Sequence, residues 1–313
     1  MVSTVFYWVL NTGILGSVAG LLVLLLRRVR RLPRFGVYLL WVLPFLRLWM
    51  PVGPASRFSL LNLISRYATK TVVIWVPVPG AIEFLATNSI QAVTDYTPIT
   101  RFAPMEYKTD LLANFFRIAG AVWAIVAAAA LLCSVLLYFF TKSALKGAVH
   151  SEGNIYRSDK LLSPAVYGIF KPKILLPANI ADADLDYILR HERVHIRRRD
   201  NLWRVLAVLT TCVHWFNPLV WIFLKNFFTD MELACDAAVL KTLPGGDEKA
   251  YAAVLLSCSA GKTYYASAFG GAKTRLRVEN ILSYKKLTLV SGICFTALFI
   301  VIAVTIITNA VGG

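Results

Sequence analysis

The chain has 313 residues, of which 58% are hydrophobic and only 16% charged, and its mean hydropathy is +0.63. Soluble domains carry about a quarter charged residues, so this composition points to membrane embedding and argues against a freely soluble protein. A net charge of +16 would suit nucleic acid, but basic loops on the cytoplasmic face of a membrane account for it, and direct nucleic-acid binding is not expected.

Residues 5–26 form the first apolar run near the ~20 helical residues that a bilayer crossing needs. No positive charge precedes it, and Arg27, Arg28, Arg30, Arg31 and Arg34 follow, so it reads as a span and not as a cleavable signal. The basic loop is then cytoplasmic and the N-terminus outside. Residues 35–52 form a second span, interrupted by Pro44 and containing Arg47, which is expected to snorkel to the interface near Trp49. The first unit is thus 1–52, and 53–110 form an external loop. Residues 111–140 are the third span, 141–286 a cytoplasmic domain, and 287–313 the fourth span with a short external end. Cys133, Cys212, Cys235, Cys258 and Cys294 show no CxxC spacing, so no disulfide framework is expected.

Within the cytoplasmic domain, "YGIFKPKILLP" (167–177) is the best strand candidate, rich in β-branched and aromatic residues between Gly168 and Pro177. Pro172 blocks ladder bonding there and fits an edge strand. Tyr167, Gly168, Ile169 and Phe170 are therefore candidates to pair with an extended substrate.

"DADLDYILRHERVHIRRRD" (182–200) reads as a helix, acidic at its start and basic at its end, as the helix dipole favours. His191 and His195 fall one turn apart on one face, where both imidazoles reach a single metal ion. Glu192 lies beside them, placed to take a proton from an attacking water. A hydrolytic zinc site needs a third protein ligand, and Asp200, His214, Asp230, Glu232 and Asp236 are the candidates. "TDMELACDAAVL" has helical periodicity with Glu232 and Asp236 on one face. Glu232 as ligand, with Asp236 orienting a ligating histidine, is the economical assignment.

The apolar stretch between these segments cannot be a straight crossing. That would put Glu232 about 30 Å from His191, against zinc bonds of about 2 Å. "HWFNP" supplies a turn, with Asn217 as N-cap and Pro218 at the first helical position. Residues 203–228 are therefore a membrane-associated helical hairpin, and His214 a turn histidine.

With these blocks in order, joined by "FGGAKTRLRVENIL", the chain resembles the membrane zinc metallopeptidases of the BlaR/MecR type, the β-lactam sensor-transducers. The resemblance implies an α-helical integral membrane protein of four spans with a cytoplasmic α+β, gluzincin-like zinc protease domain. It implies that His191, His195 and Glu232 bind one zinc ion and that Glu192 is the general base. It also implies self-cleavage before the last span and action on a cytoplasmic repressor of the penicillinase-repressor type. Other expected contacts are membrane lipid, with a homodimer left open. In "GKTYYASAFGGAKTRLR" the large apolar Phe269 among small neighbours makes Ala268–Phe269 the expected cut. The sensing members continue into an extracellular penicillin-binding domain, whereas this sequence stops at Gly313; the expectation is a sensorless member or a sensor cut back to its protease. The alternatives are a quality-control membrane zinc protease and a non-catalytic scaffold with a vestigial metal site.

Overall fold

The longest apolar runs become helices, because a helix satisfies its own backbone polar groups where water is scarce. A computed structural model of the chain describes residues 2–29, 32–50, 53–59, 62, 71–77, 96–102, 110–144, 147–259, 274–284 and 288–309. Among these, three helices contain segments long and apolar enough to cross a membrane: Val2–Leu26, Asn114–Lys142 and Val290–Ile307. They lie in α1 (Val2–Leu26), α4 (Asp110–Ala144) and the final helix α10 (Leu289–Ile307).

The expected span at 35–52 is a broken helix, α2 (Arg34–Leu40) followed by α3 (Val42–Trp49). Pro44 cannot donate to the carbonyl of residue 40, which interrupts the ladder at Trp41. Trp41 keeps right-handed helical dihedrals of −65° and −20°, so the two halves continue one another. Arg47 does not snorkel as expected. It is 1% exposed and donates to the Ile307 carbonyl at 3.3 Å and to Asn309 Oδ1, tying α3 to the end of α10. Those acceptors lie within reach of its buried guanidinium, and a bound donor needs no path to water.

Strands β1 (Thr71–Pro77) and β2 (Tyr96–Phe102) pair antiparallel between α3 and α4. A second sheet contains β3 (Val149–Glu152), β4 (Ile155–Ser158), β5 (Ala165–Tyr167) and β6 (Lys173–Pro177), in the order β3-β4-β6-β5. The β4–β6 pair is parallel and the others antiparallel. The strand expected over 167–177 is therefore two strands folded back on each other. Gly168 takes φ +100°, open to a residue without a Cβ, and Pro172 offers no ladder donor. Of the four proposed edge residues only Tyr167 is in a strand, while Gly168, Ile169 and Phe170 form the connection.

Ile174 and Leu176 of β6 pack on Ile188 of α5 (Asp182–Arg198). Arg199 follows in the left-handed conformation, φ 56° and ψ 38°, which ends α5 and turns the chain into α6 (Asp200–Val213). The next helix, α7 (Pro218–Leu240), starts at Asn217, whose side chain accepts from the Leu219 amide at 3.0 Å. It runs without interruption through 228 to the acidic residues beyond, so the returning arm and the "ELACDAAVL" segment are one helix. Its Phe223, Phe227 and Met231 share a core with Val23 of α1, Leu40, Trp41 and Leu48. Helices α8 (Glu248–Ser259) and α9 (Thr274–Leu282) close the far side, packing Tyr251 and Ile281 on Cys235 and Val239.

Candidate metal centre

The i, i+4 spacing on α5 sets both histidines on its buried face, at 6% and 4% exposure, with Glu192 also buried. Their Nε2 atoms lie 3.1 Å apart. Glu232, from α7, approaches with Oε2 at 3.6 Å from His191 Nε2 and Oε1 at 3.7 Å from His195 Nε2. Tetrahedral zinc with bonds near 2.0–2.1 Å holds its ligand atoms about 3.3 Å apart, so these three separations fit one small cation.

The other imidazole nitrogens face away from that point. His195 Nδ1 meets Asp200 Oδ2 at 2.6 Å. His191 Nδ1 meets the Tyr251 hydroxyl at 2.8 Å, which donates to Asp236 Oδ1 at 2.8 Å; Asp236 Oδ1 is itself 3.3 Å from His191 Nδ1. Burial pushes the Tyr251 hydroxyl well above its ordinary pKa, with Asp236 adding to the effect, so it remains a donor. With an Nδ1–H donated on each ring, each imidazole in its neutral form turns its Nε2 lone pair toward the shared point, and Arg277 Nη2 lies 3.4 Å from His191 Nε2 there. The donor set of two imidazoles and a carboxylate thus fits a metal ion.

Two arginines surround the carboxylates. Arg204 donates to Glu232 Oε1 at 2.8 Å. Arg277 of α9 grips Asp236 through Nε at 2.8 Å and Nη2 at 2.7 Å, and lies 3.6 Å from Glu232. Burial by itself would raise the Glu232 carboxyl, but the two histidines and Arg277 hold it well below the usual range. Asp236 is depressed likewise, chiefly by Arg277 against its own burial.

Among the five candidate third ligands, only Glu232 faces both Nε2 atoms. Asp200 is 0% exposed and engages His195 from behind. Asp236 serves His191 in the same way, partly through Tyr251. Asp230 is taken up by Arg27, at 2.8 and 3.0 Å, and by Trp41 Nε1 at 2.8 Å. His214 is buried at the α6–α7 turn against the Thr210 carbonyl and Thr12. Cys235 is a further donor: its sulfur and nitrogens of both histidines lie within 4.8 Å of one another. Its sulfur contacts His191 on the Nδ1 side, at 3.6 Å. The proposed cut at Ala268–Phe269 lies outside the described residues.

Sequence reasoning weighed Asp200 only as a ligand and missed Arg204, Tyr251 and Arg277. The signal for Asp200 was its place directly after the basic run that ends the histidine helix. The other three lie on separate helices, and no local spacing links them to His191. On the α6 side, Asn201 donates to the carbonyls of Val166, at 3.2 Å, and Gly168, at 2.9 Å, tethering β5 beside the centre.

The chain is similar to known regulatory and resistance proteins. The regulatory protein BlaR1 of Bacillus licheniformis is 39% identical over 110 residues, covering 34% of this chain and 18% of the relative. The methicillin resistance protein MecR1 of Staphylococcus aureus strain Mu50 is 31% identical over 112 residues, 34% of this chain and 19% of its own length. BlaR1 of Staphylococcus aureus is 26% identical over 164 residues, 47% and 28%. The chain therefore matches less than a third of the length of each. The profile of the family described as BlaR1 peptidase M56 matches residues 7–281, far more than half of the chain, and the protein belongs to that peptidase family.

Proposed function

We propose that the protein is a membrane-anchored zinc endopeptidase that transduces a signal by proteolysis. The observation that carries this reading is the triangle of His191 Nε2, His195 Nε2 and the Glu232 carboxylate, spaced at 3.1, 3.6 and 3.7 Å. Cys235 is the less suited third ligand, because its sulfur sits behind the His191 ring. Glu232 has in addition the Arg204 and Arg277 guanidinium groups against its carboxylate, at 2.8 and 3.6 Å.

Zinc, when bound, supplies a Lewis acid that polarises a scissile carbonyl and makes water acidic near neutral pH. The protein supplies the rest. Glu192, adjacent to His191 on the same helix, takes the proton of the attacking water and returns it to the leaving amine. Tyr251 with Asp236, and Asp200, hold the two imidazoles in the tautomer that leaves Nε2 free. The short strand β5, with Tyr167 at its end and Asn201 bridging it to α6, is the edge along which an extended peptide would lie.

The basic residues that follow α1 orient the site toward the cytoplasm, with both termini outside. The 203–228 hairpin then enters from the cytoplasmic side and packs along the spans, its turn reaching Phe6 and Gly13 of α1. One relative is named a regulatory protein and another a methicillin resistance protein, which suits a regulatory substrate such as a cytoplasmic repressor. Self-cleavage at Ala268–Phe269 is the accompanying proposal and rests on the sequence alone. The test is incubation of the purified full chain and of Glu192→Gln, with zinc content measured and fragments identified by mass spectrometry. Fragments in the parent alone, at equal zinc content, support the reading; identical patterns from both overturn it.

A further inference from the structure

Helix α2 carries no metal-centre residue, yet three of its polar groups reach the elements that build the centre. Arg34 Nε donates to Asn280 Oδ1 at 2.6 Å, on the helix that holds Arg277. Tyr38 OH donates to Asp200 Oδ1 at 3.2 Å. Trp41 Nε1, at the end of α2, donates to Asp230 two residues before Glu232. Positions 34, 38 and 41 follow the i, i+4, i+7 spacing of one helical face.

Tyr38 is the most direct of the three. Asp200 presents one oxygen to His195 Nδ1 and the other to Tyr38 and Arg198, the latter at 3.3 Å. The Tyr38 ring is locked independently of its hydroxyl. It stacks on Phe227 at 5.5 Å and 23°, and the Arg198 guanidinium lies over it at 4.5 Å. A carboxylate that accepts on both oxygens has its plane defined, and that plane sets the orientation of the imidazole it holds.

We infer that Tyr38 is a positioning residue for the metal centre, through which helix α2 sets the orientation of His195 by way of Asp200. The inference rests on the metal-peptidase reading above. It makes the tilt or rotation of α2 a variable that the centre senses. The packing that anchors the ring and the hydrogen bond that orients Asp200 are separable chemically, because Tyr38→Phe removes only the latter.

The experiment measures zinc affinity of the full chain in detergent by chelator competition, together with the visible spectrum of the cobalt-substituted protein. The variants are Tyr38→Phe, Asp200→Asn, their double, and Phe227→Leu as a packing control. Tyr38→Phe should weaken zinc binding about tenfold, at the low end for an outer partner of a ligating histidine, and shift the cobalt bands. The double variant should match Asp200→Asn, because both changes act on one path. Phe227→Leu keeps the Tyr38 hydroxyl, so it should lower the melting temperature and cost less zinc affinity than Tyr38→Phe. Unchanged affinity and spectrum in Tyr38→Phe overturn the inference, as do additive effects in the double variant. An equal affinity loss in Phe227→Leu overturns it too, as does a Tyr38→Phe chain that does not fold. A parent chain that binds no zinc, or binds it equally after His195→Ala, overturns the metal reading itself and this inference with it. Zinc bound equally by the parent and Tyr38→Phe removes the inference alone.

Discussion

His191 and His195 face each other through their Nε2 atoms at 3.1 Å, while their Nδ1 atoms are held apart, one by Tyr251 and the other by Asp200. Two lone pairs this close repel unless a cation lies between them. On the proposed reading, the residues that would hold the ion are distinct from Glu192, which would act on substrate.

Substitution should expose that separation. His191→Ala, His195→Ala and Glu232→Ala should each strip zinc, since each removes one of three protein ligands. Glu192→Gln should retain zinc and lose about 10²–10⁴-fold in cleavage rate, because an amide cannot accept the proton. Cys235→Ser should keep its zinc. Metal analysis of the purified variants decides, and an empty Cys235→Ser beside a loaded Glu232→Ala would reverse the ligand assignment.

The partners behind the histidines should matter less than the ligands but measurably. Tyr251→Phe and Asp236→Ala act on His191, and Asp200→Asn on His195. Each should lower zinc affinity by about 10–100-fold. Chelator competition gives the numbers, and full parental affinity in all three would mean that the Nδ1 contacts do not orient the rings.

The pH dependence follows from the protons that zinc must displace. In the metal-free protein burial opposes charge on His191 and His195, but the surrounding Cys235, Tyr251, Asp236, Glu232 and Asp200 outweigh it and hold both well above the ordinary value. A raised folded pKa stabilises the metal-free fold below about pH 6.5 and is lost as pH rises through the folded values. Zinc affinity rises over the same range as the protons leave. Glu232 and Asp236 are depressed and remain ionised throughout, so they do not alter the slope. Chelator should therefore lower the melting temperature least near pH ~6 and most near pH ~8.5. A flat or reversed dependence in thermal scans would contradict the site.

Arg27 and Asp230 join the C-terminal end of α1 to α7 through two parallel hydrogen bonds, with Asp230 3% exposed. Asp230→Ala also leaves Trp41 Nε1 without its acceptor. Breaking such a pair from one side should cost about 3 kcal/mol, read as a lower melting temperature in detergent. An unchanged temperature would show that this pair does not bind α1 to α7.

Close helix approach offers a graded test of the packing beneath the site. A Cβ at Gly20 would lie 2.2 Å from two atoms of the Phe223 ring, and one at Gly16 would lie 2.5 Å from the Leu48 side chain. A buried ring moves less readily than the end of a leucine. Gly20→Ala should therefore lose about 1–3 kcal/mol, and Gly16→Ala less. Equal melting temperatures for the two would indicate a looser α1–α7 contact.

Much of the centre was legible in the chain because its spacing is local. The HExxH interval puts two histidines on one helical face wherever the helix sits, and Asn217–Pro218 starts a helix by capping chemistry alone. The apolar runs of α1, α4 and α10 announce themselves by length, since a bilayer imposes one. Other features depend on which helix packs against which. Five acidic or imidazole groups could have completed the donor set; helical periodicity made Glu232 the economical choice, but that it faces both Nε2 atoms depends on α7 lying beside α5. Asp200 turns toward His195 because Arg199 takes the left-handed conformation, a choice the neighbouring arginines do not reveal. Tyr251 and Arg277 lie 60 and 86 residues from His191, and no periodicity reaches that far. The broken strand at 168–172 and the buried Arg47 have the same origin. Local propensity offered an extended edge and a snorkelling side chain, whereas tertiary neighbours supplied a fold-back and a set of buried acceptors.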